Sequence, residues 1–239
     1  MSDENYLLNK RVKIYQPEGA YHASTDAVWL AAAVEMVKNG DSFLDVGAGT
    51  GAVSLCLAER FKKFDISLTG LEIQPILCEA ANKSAQANGF DFVRFINTDI
   101  FKSHLPPCSF THVISNPPYA AGDTVSPNPS KAAAHNFSTN GLASWIAFCI
   151  KMIRPKGFFY MINRTEALDE ILACLHGKLG RIEIFPIYSK TGEPAKRIIV
   201  RAQKDSKVPL AIRPPVVIHS RTGSHTRKAE QVLRKGSSI

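Results

Sequence analysis

A short apolar run that leads directly into a glycine-rich turn is the strongest constraint on the fold of this chain. Residues 43–46 have the composition of a buried strand, Gly47, Gly49 and Gly51 follow at once, and a helical pattern begins at Ala52. Glycine accepts backbone conformations that other residues avoid, so this spacing allows a tight turn and the close approach of a ligand. The order strand, glycine turn, helix predicts the first unit of an α/β sheet with a ligand-binding edge.

The same alternation of short apolar runs and longer helical patterns continues along most of the chain. Predicted strands cover residues 42–47, 66–73, 92–97, 111–115, 157–163, 181–188 and 197–202, and predicted helices cover 52–63, 75–88, 142–153 and 166–175. This alternation is typical of a parallel, doubly wound sheet, and the last two runs predict an antiparallel hairpin at its edge. We therefore predict a Rossmann-like α/β fold with a seven-stranded, mostly parallel sheet and an antiparallel terminal hairpin.

The length of 239 residues, 45% of them hydrophobic, suits one sizeable core. We predict a single domain over residues 1–203, in which residues 1–40 close over a cofactor and residues 41–203 form the sheet. A basic extension, residues 204–239, follows it. Residues 120–140 are rich in Pro, Ser, Asn and Ala and predict a long loop after the fourth strand.

Positive charge is concentrated at the C-terminal end. Residues 196–239 contain 11 Lys and Arg against Asp205 and Glu230, whereas the whole chain has a net charge of +8. A near-neutral body with a basic end is typical of a protein that binds a polyanion such as nucleic acid. The alternative interpretation is a solvated tail with no partner.

Several other classes of function find no support in the sequence. The N-terminus lacks the apolar core of a signal peptide, and no apolar stretch reaches the length of a membrane span. The five cysteines form no C-x-x-C pair and predict buried thiols in a reducing cytoplasm. The seven histidines form no cluster with metal-ligand spacing, so we predict no metal site.

Polar residues at the predicted strand ends indicate a nucleotide-like cofactor. Glu72 ends the second strand, where a carboxylate can accept hydrogen bonds from both ribose hydroxyls, and the alternative is a solvated strand end. Asp99 follows the third strand and could accept the exocyclic amine of an adenine ring flanked by Ile100; the alternative is a helix N-cap. Asp45 either holds the glycine turn or faces a ligand ammonium group.

The glycines alone do not decide between two cofactors. Their spacing also fits G-x-G-x-x-A through Ala52, which is found in NAD sites, and S-adenosylmethionine sites share the carboxylate on the ribose. A nicotinamide oxidoreductase therefore stays open on this evidence.

The tetrapeptide Asn116-Pro117-Pro118-Tyr119 directly after the fourth strand indicates the chemistry. Two prolines make a stiff turn that can direct the Asn116 side-chain oxygen and the Pro117 carbonyl at one amine. Tyr119 offers a ring on which a flat target can stack. Adenine N6, cytosine N4 and a glutamine amide all fit this arrangement. Lys131 and His135, in the loop that follows, either contact a substrate phosphate or are simply solvated.

From about Lys10 to Ala202 these residues resemble the S-adenosylmethionine-dependent amino-methyltransferases that carry an Asn-Pro-Pro-Tyr motif. Residues 16–31, QPEGAYHASTDAVWLA, resemble the leader of the bacterial transfer-RNA adenine-N6 methyltransferases that modify valine transfer RNA. The resemblance implies a class I methyltransferase fold, S-adenosyl-L-methionine as cofactor, and Thr25 and Asp26 near the methionine end of that cofactor.

The resemblance also implies transfer of methyl to N6 of an adenine beside the anticodon of a transfer RNA. A protein-glutamine methyltransferase is the nearest alternative. It is less favoured because only residues 1–40 precede the predicted sheet, whereas release-factor methyltransferases carry a separate N-terminal helical domain.

Overall fold

The computed structural model describes residues 2–18, 25–118 and 131–239. The strands are β1 (Ser2–Leu7), β2 (Val12–Pro17), β3 (Asp41–Val46), β4 (Ile66–Glu72), β5 (Val93–Asn97), β6 (Phe110–Ser115), β7 (Ile153–Arg164), β8 (Leu179–Lys190), β9 (Arg197–Lys204), β10 (Ala211–Ile212) and β11 (Val216–His219). The helices are α1 (Thr25–Ala32), α2 (Ala52–Phe61), α3 (Pro75–Ala87), α4 (Lys131–Met152), α5 (Leu168–Leu175) and α6 (Arg227–Lys235).

A mostly parallel sheet confirms the predicted α/β fold. Its strand order is β10-β8-β9-β7-β6-β3-β4-β5, and β11 also pairs with β8. All seven predicted strands are present as β3 to β9, and β9 runs antiparallel to both β7 and β8. The described part of the sheet has nine strands rather than seven, because β10 and β11 add two short parallel segments beside β8.

Apolar side chains cover both faces of the sheet, as expected for a parallel sheet flanked by helices. On one face α1, α2, α3 and α6 pack against residues such as Phe43 and Tyr160, and on the other α4 and α5 pack against residues such as Leu44 and Phe159. Alternate residues of one strand therefore enter different core clusters. None of the described helices is long and apolar enough to cross a membrane.

An N-terminal hairpin was not predicted from the sequence. Strands β1 and β2 form a separate antiparallel pair whose turn, Leu8 to Lys10, has positive φ angles. The hairpin is fixed to α3, because Asn88 exchanges hydrogen bonds with the backbone of Lys13 and the Ser84 hydroxyl accepts from Tyr15 N.

Two other expectations are corrected. Helix α4 begins at Lys131 and has a non-helical residue at Gly141, so the predicted loop 120–140 is helical in its second half. All five cysteines are free thiols, but Cys108 is exposed and Cys174 only half-buried, so the expectation of buried thiols is wrong for these two.

The C-terminal segment is packed onto the rest of the fold. Helix α6 buries Ala229 and Val232 in the core cluster that also contains α1. The Arg60 guanidinium, at the end of α2, donates to the carbonyl oxygens of Gly236 (2.8 Å), Val34 (3.2 Å) and Ala31. A half-buried arginine with three carbonyl acceptors therefore joins α1, α2 and the C-terminal end.

One basic residue of the C-terminal end is part of the core. Arg201 on β9 is 4% exposed, and it donates to Glu183 on β8 and to Glu35 after α1, both at 2.8 Å. Removing one member of a buried ion pair leaves the other charge without full compensation in a low-dielectric environment. This cluster therefore contributes to the attachment of α1 to the edge of the sheet.

We predict that Glu183→Ala lowers the free energy of unfolding by about 2–4 kcal/mol, the lower part of the range reflecting that Glu35 still pairs with Arg201. Urea unfolding followed by circular dichroism measures the change. The control is Glu193→Ala, which removes an exposed carboxylate from the β8–β9 turn and should change stability by less than about 0.5 kcal/mol. Equal stability of the two variants would contradict the role given to the Arg201 cluster.

Candidate active site

The carboxyl ends of four parallel strands, β3 to β6, meet at one edge of the sheet, which we call the site edge. In the pairing of β3 with β6, Val46 lies opposite Ser115. The residues that follow each strand, Gly47 and Asn116, are therefore neighbours. The sequence places the predicted cofactor turn and the predicted catalytic motif 69 residues apart, and the sheet brings them together.

Packing and backbone conformation explain the glycines of this turn. A Cβ atom on Gly47 would lie 2.8 Å from the Trp145 ring, and one on Gly51 would lie 2.6 Å from the Phe95 ring. Gly49 has a φ of +57°, and among the described residues no heavy atom lies within 4 Å of the Cβ that a side chain would add there. Two glycines thus permit close packing from behind, while the backbone at Gly49 borders open space that a ligand can enter.

Glu72 holds the glycine turn through its carboxylate. Its Oε2 accepts from Gly49 N and its Oε1 accepts from Gln74 N, both at 2.8 Å. Burial raises the pKa of Glu72, and the backbone N–H donors oppose that shift. The carboxylate is only 5% exposed, so the alternative of a solvated strand end is wrong. A carboxylate has about four acceptor sites, so acceptor capacity remains for ribose hydroxyls.

Asp99 and Ile100 lie at the end of β5 at the same edge. The Asp99 carboxylate caps a short 3-10 helix, Ile100–Lys102, by accepting from Phe101 N at 3.0 Å. The structure thus shows the capping role that was the alternative, and contact with an adenine amine stays a prediction. Ile100 is buried in the core cluster with Leu71 and Trp145, where it can form an apolar wall.

Asp45 lies beneath the glycine turn and is 1% exposed. Its Oδ2 accepts from the Ser54 hydroxyl at 2.7 Å, so it connects β3 to α2. Burial raises its pKa to about 6, although the bond from Ser54 acts in the opposite direction. This geometry favours the structural role of Asp45, and a contact with the ammonium group of a ligand stays a prediction.

Thr25 and Asp26 begin helix α1. They lie on the side of β6 that faces away from β4 and β5. Asp26 Oδ2 accepts from Arg197 Nε at 3.1 Å, and Arg197 is the first residue of β9. This ion pair fixes the start of α1 near the site edge. Contact of Thr25 or Asp26 with a cofactor stays a prediction.

The structure describes only part of the predicted catalytic motif, residues 116–119. Asn116 is half-buried and Pro117 is buried directly after β6. Tyr119, also predicted as a catalytic-site residue, lies outside the described residues. Lys131 and His135 fall in the part of α4 whose side chains are outside the description.

Ser115 and Trp145 are site residues that the sequence did not reveal. The Trp145 indole N–H donates to Ser115 Oγ at 2.8 Å, and Ser115 Oγ donates to Val46 O at 2.8 Å. The Trp145 ring also covers Gly47. One side chain from α4 therefore holds the glycine turn and the residue before Asn116 in a fixed relation. Only the tertiary structure shows this, because both are ordinary residues in a strand and a helix.

The site residues fit S-adenosylmethionine. The open space at Gly49 can accommodate the part of the cofactor that lies against the backbone. The Glu72 carboxylate can bind a ribose, and the apolar Ile100 can pack against an adenine ring. The described residues hold no group of three or more His, Cys, Asp or Glu side chains suited to a metal ion.

Comparison with known proteins identifies the class. Residues 24–145, just over half of the chain, match the family described as the methyltransferase small domain. The chain belongs to this family and is a methyltransferase that uses S-adenosylmethionine. The nicotinamide alternative is therefore wrong.

Similar proteins narrow this class. The tRNA1(Val) (adenine(37)-N6)-methyltransferase of Porphyromonas gingivalis is 30% identical over 170 residues, covering 68% of this chain and 66% of that protein. The protein of the same name in Actinobacillus succinogenes is 23% identical and covers 87% of each chain. The crystal structure of a predicted O-methyltransferase from Agrobacterium tumefaciens, protein Atu636, aligns with a TM-score of 0.74 at 25% identity, over 90% of this chain and 98% of that one.

We predict that Asp45→Asn gains stability relative to the wild type as the pH rises from 4 to 7. The pKa of Asp45 is raised from its ordinary value of 3.8 to about 6 in the folded chain, so the wild type loses stability as the pH rises between these two values, whereas asparagine does not titrate. The relative gain should be on the order of 1–3 kcal/mol. Urea unfolding at several pH values measures it, with Asp65→Asn, an exposed residue, as the control. A difference independent of pH would contradict the assignment.

We predict that Trp145→Phe lowers kcat about 3–10-fold, the value of one neutral hydrogen bond, because Ser115 loses its donor and Asn116 is held less firmly. The matched control is Trp29→Phe. Trp29 is also buried, but its indole N–H has no hydrogen-bond partner among the residues described. If both variants lowered kcat equally, Trp145 would act through general packing rather than by positioning the site.

Proposed function

We propose that this protein transfers a methyl group from S-adenosylmethionine to the exocyclic N6 of an adenine in transfer RNA, near the anticodon. The observation that carries the proposal is the pairing of Val46 with Ser115, which places Asn116 beside the glycine turn. The relatives named as transfer-RNA adenine-N6 methyltransferases support the choice of substrate.

The chemistry asks little of the protein beyond positioning. S-adenosylmethionine supplies a methyl group on a positively charged sulfur. An exocyclic amine is a weak nucleophile because its lone pair is delocalised into the ring. Two acceptors, the Asn116 amide oxygen and the Pro117 carbonyl, would bind its two N–H groups and favour the pyramidal form in which the lone pair is available. This arrangement requires no strong general base.

Tyr119 completes the proposed site by stacking against the target base. A stacking contact of this kind is worth about 1–3 kcal/mol per base. The base must leave its own stack to reach the site, which is easiest in a single-stranded loop such as an anticodon loop.

Two alternatives share the fold. A glutamine amide has the same flat –NH₂ group as adenine N6, so the Asn116 pair alone does not separate them. The crystal structure from Agrobacterium tumefaciens is described as a predicted O-methyltransferase. A hydroxyl has one proton to donate, whereas the Asn116 and Pro117 oxygens form a pair suited to an amine.

The transfer-RNA proposal also places the protein in the cytoplasm, where its substrate is found.

We predict that the full chain transfers labelled methyl to unmodified transfer RNA and that Asn116→Ala lowers kcat by about 10²–10³-fold, as expected for loss of one preorganised polar group at the reacting atom. Binding of S-adenosylhomocysteine, followed by calorimetry, should change little. Asn39→Ala, an exposed asparagine before β3, is the matched control and should keep full activity.

Parallel reactions with DNA, release factor and ribonuclease-treated RNA identify the substrate class. Label recovered as N6-methyladenine in RNA supports the proposal. Label in protein alone would transfer the assignment to glutamine methylation. Near-normal turnover by Asn116→Ala would remove the catalytic role of Asn116.

A further inference from the structure

The sheet topology gathers exposed basic residues at the site edge, on the side of β6 away from β4 and β5. Strands β7 and β8 are both antiparallel to β9, so they point the same way and their carboxyl ends lie at the site edge. Arg164 ends β7 and pairs with Arg197 at the start of β9. Lys190 ends β8 opposite His219, the last residue of β11.

Three basic residues at this end of the sheet are exposed: Lys190, Lys196 and Arg221. Lys196 precedes β9, and its backbone N–H donates to Ile187 O on β8. Arg221 lies two residues after the end of β11. Arg227 and Lys228, also exposed, begin α6 beside the same turn, because Thr226 Oγ1 donates to Val217 O. Glu193 is the acidic residue in the β8–β9 turn.

These positions form a row that leads away from β6, the strand that precedes Asn116. The order β6, β7, β9, β8, β11 and a spacing of about 4.8 Å between strands place the ends of β7 and β11 roughly 15 Å apart. A polynucleotide carries charge along its whole length, so a row of this length can contact several phosphates at once. Globular proteins with isolated acidic groups offer no such repeating charge.

Other basic residues of the C-terminal end point elsewhere or are already engaged. Arg201 is buried with Glu183 and Glu35. Arg234 pairs with Glu230 on α6, and Lys204 donates to the Ile153 carbonyl at the opposite edge of the sheet. The basic residues of 196–239 therefore fall into three groups: some are buried or paired, some, such as Lys207, are exposed elsewhere, and the rest are exposed at the site edge.

We propose that Lys190, Lys196, Arg221, Arg227 and Lys228 form a phosphate-binding track that holds the backbone of a folded RNA while its base enters the site at Asn116. This inference rests on the proposed function and extends it to the RNA-binding surface. Arg164 and Arg197 lie between the track and strand β6.

The test compares two triple variants of the full chain. The track variant is Lys190→Ala, Lys196→Ala and Arg221→Ala. The control variant is Lys63→Ala, Lys178→Ala and Lys207→Ala, which removes the same charge from exposed positions between α2 and β4, before β8 and after β9, at the opposite edge of the sheet. Unmodified transfer RNA is the probe, and fluorescence anisotropy measures its binding at several potassium chloride concentrations.

We expect the track variant to reduce the slope of log K against log salt by about 2–3, close to one per lost phosphate contact, while the control changes it by less than about one. The KM of the track variant for transfer RNA should rise at least about tenfold at unchanged kcat. The thermal stability of the track variant and its binding of S-adenosylhomocysteine should match those of the control variant.

Equal effects of the two triple variants on RNA binding, or none from the track variant, would overturn the inference. If the wild type methylates transfer RNA in that case, the proposed function survives and only the track fails. If the wild type binds transfer RNA through the track residues without methylating any RNA, the track is supported and the proposed function fails.

Discussion

The site depends on two neighbouring parallel strands that end at the same level. Because β3 and β6 pair with Val46 opposite Ser115, a turn shaped by glycines and a turn stiffened by prolines lie side by side. Hydrogen bonds then fix the positions of the two turns. Trp145 on α4 donates to Ser115 at the end of β6, and Ser115 donates to Val46 at the end of β3. Glu72 at the end of β4 accepts from the glycine turn. A transfer reaction that relies on positioning benefits from such a rigid frame, since a small displacement of the amine would cost much of its rate.

Much of this frame could be predicted from local sequence. The strand, glycine turn and helix from residue 43 onward alternate with a clear period, and the ends of parallel strands must meet at one edge, so the positions of Glu72, Asp99 and Asn116 at one edge follow from the pattern alone. The role of each side chain at that edge cannot be predicted from the pattern. Glu72 and Asp45 have the composition of ligand-binding residues, yet both make bonds that hold the protein itself.

The features that the sequence did not reveal depend on contacts distant along the chain. The turn of the β1–β2 hairpin contains Leu8, Asn9 and Lys10 with positive φ and no glycine, so it carries no strong turn signal. Hydrogen bonds from strand β2 to Ser84 on α3 and to Asn88 directly after α3 compensate for this. Strands β10 and β11 are two and four residues long, too short for a periodic pattern, and pairing with β8 gives them their strand conformation.

The charge of the C-terminal end was also only partly predictable from the sequence. Composition gives the excess of lysine and arginine after residue 196, but not which of them face water. Arg201 lies among Glu183, Glu35 and the Phe185 ring, where it stabilises the fold and is unable to meet a partner. A count of basic residues therefore overstates the surface available to RNA.

The division of charge also bears on how such a site selects its substrate. Adenine N6 and a glutamine amide present the same –NH₂ geometry to Asn116 and Pro117, so the reacting group alone gives little discrimination between RNA and protein. Selection then has to come from the rest of the substrate. Exposed cations at the ends of β8 and β11 lie several strands away from the methyl-transfer position, where they can favour a polyanion without altering the chemistry. In the proposed arrangement, Asn116 and Pro117 would determine which atom is methylated, and the distant basic surface would determine which molecule carries that atom.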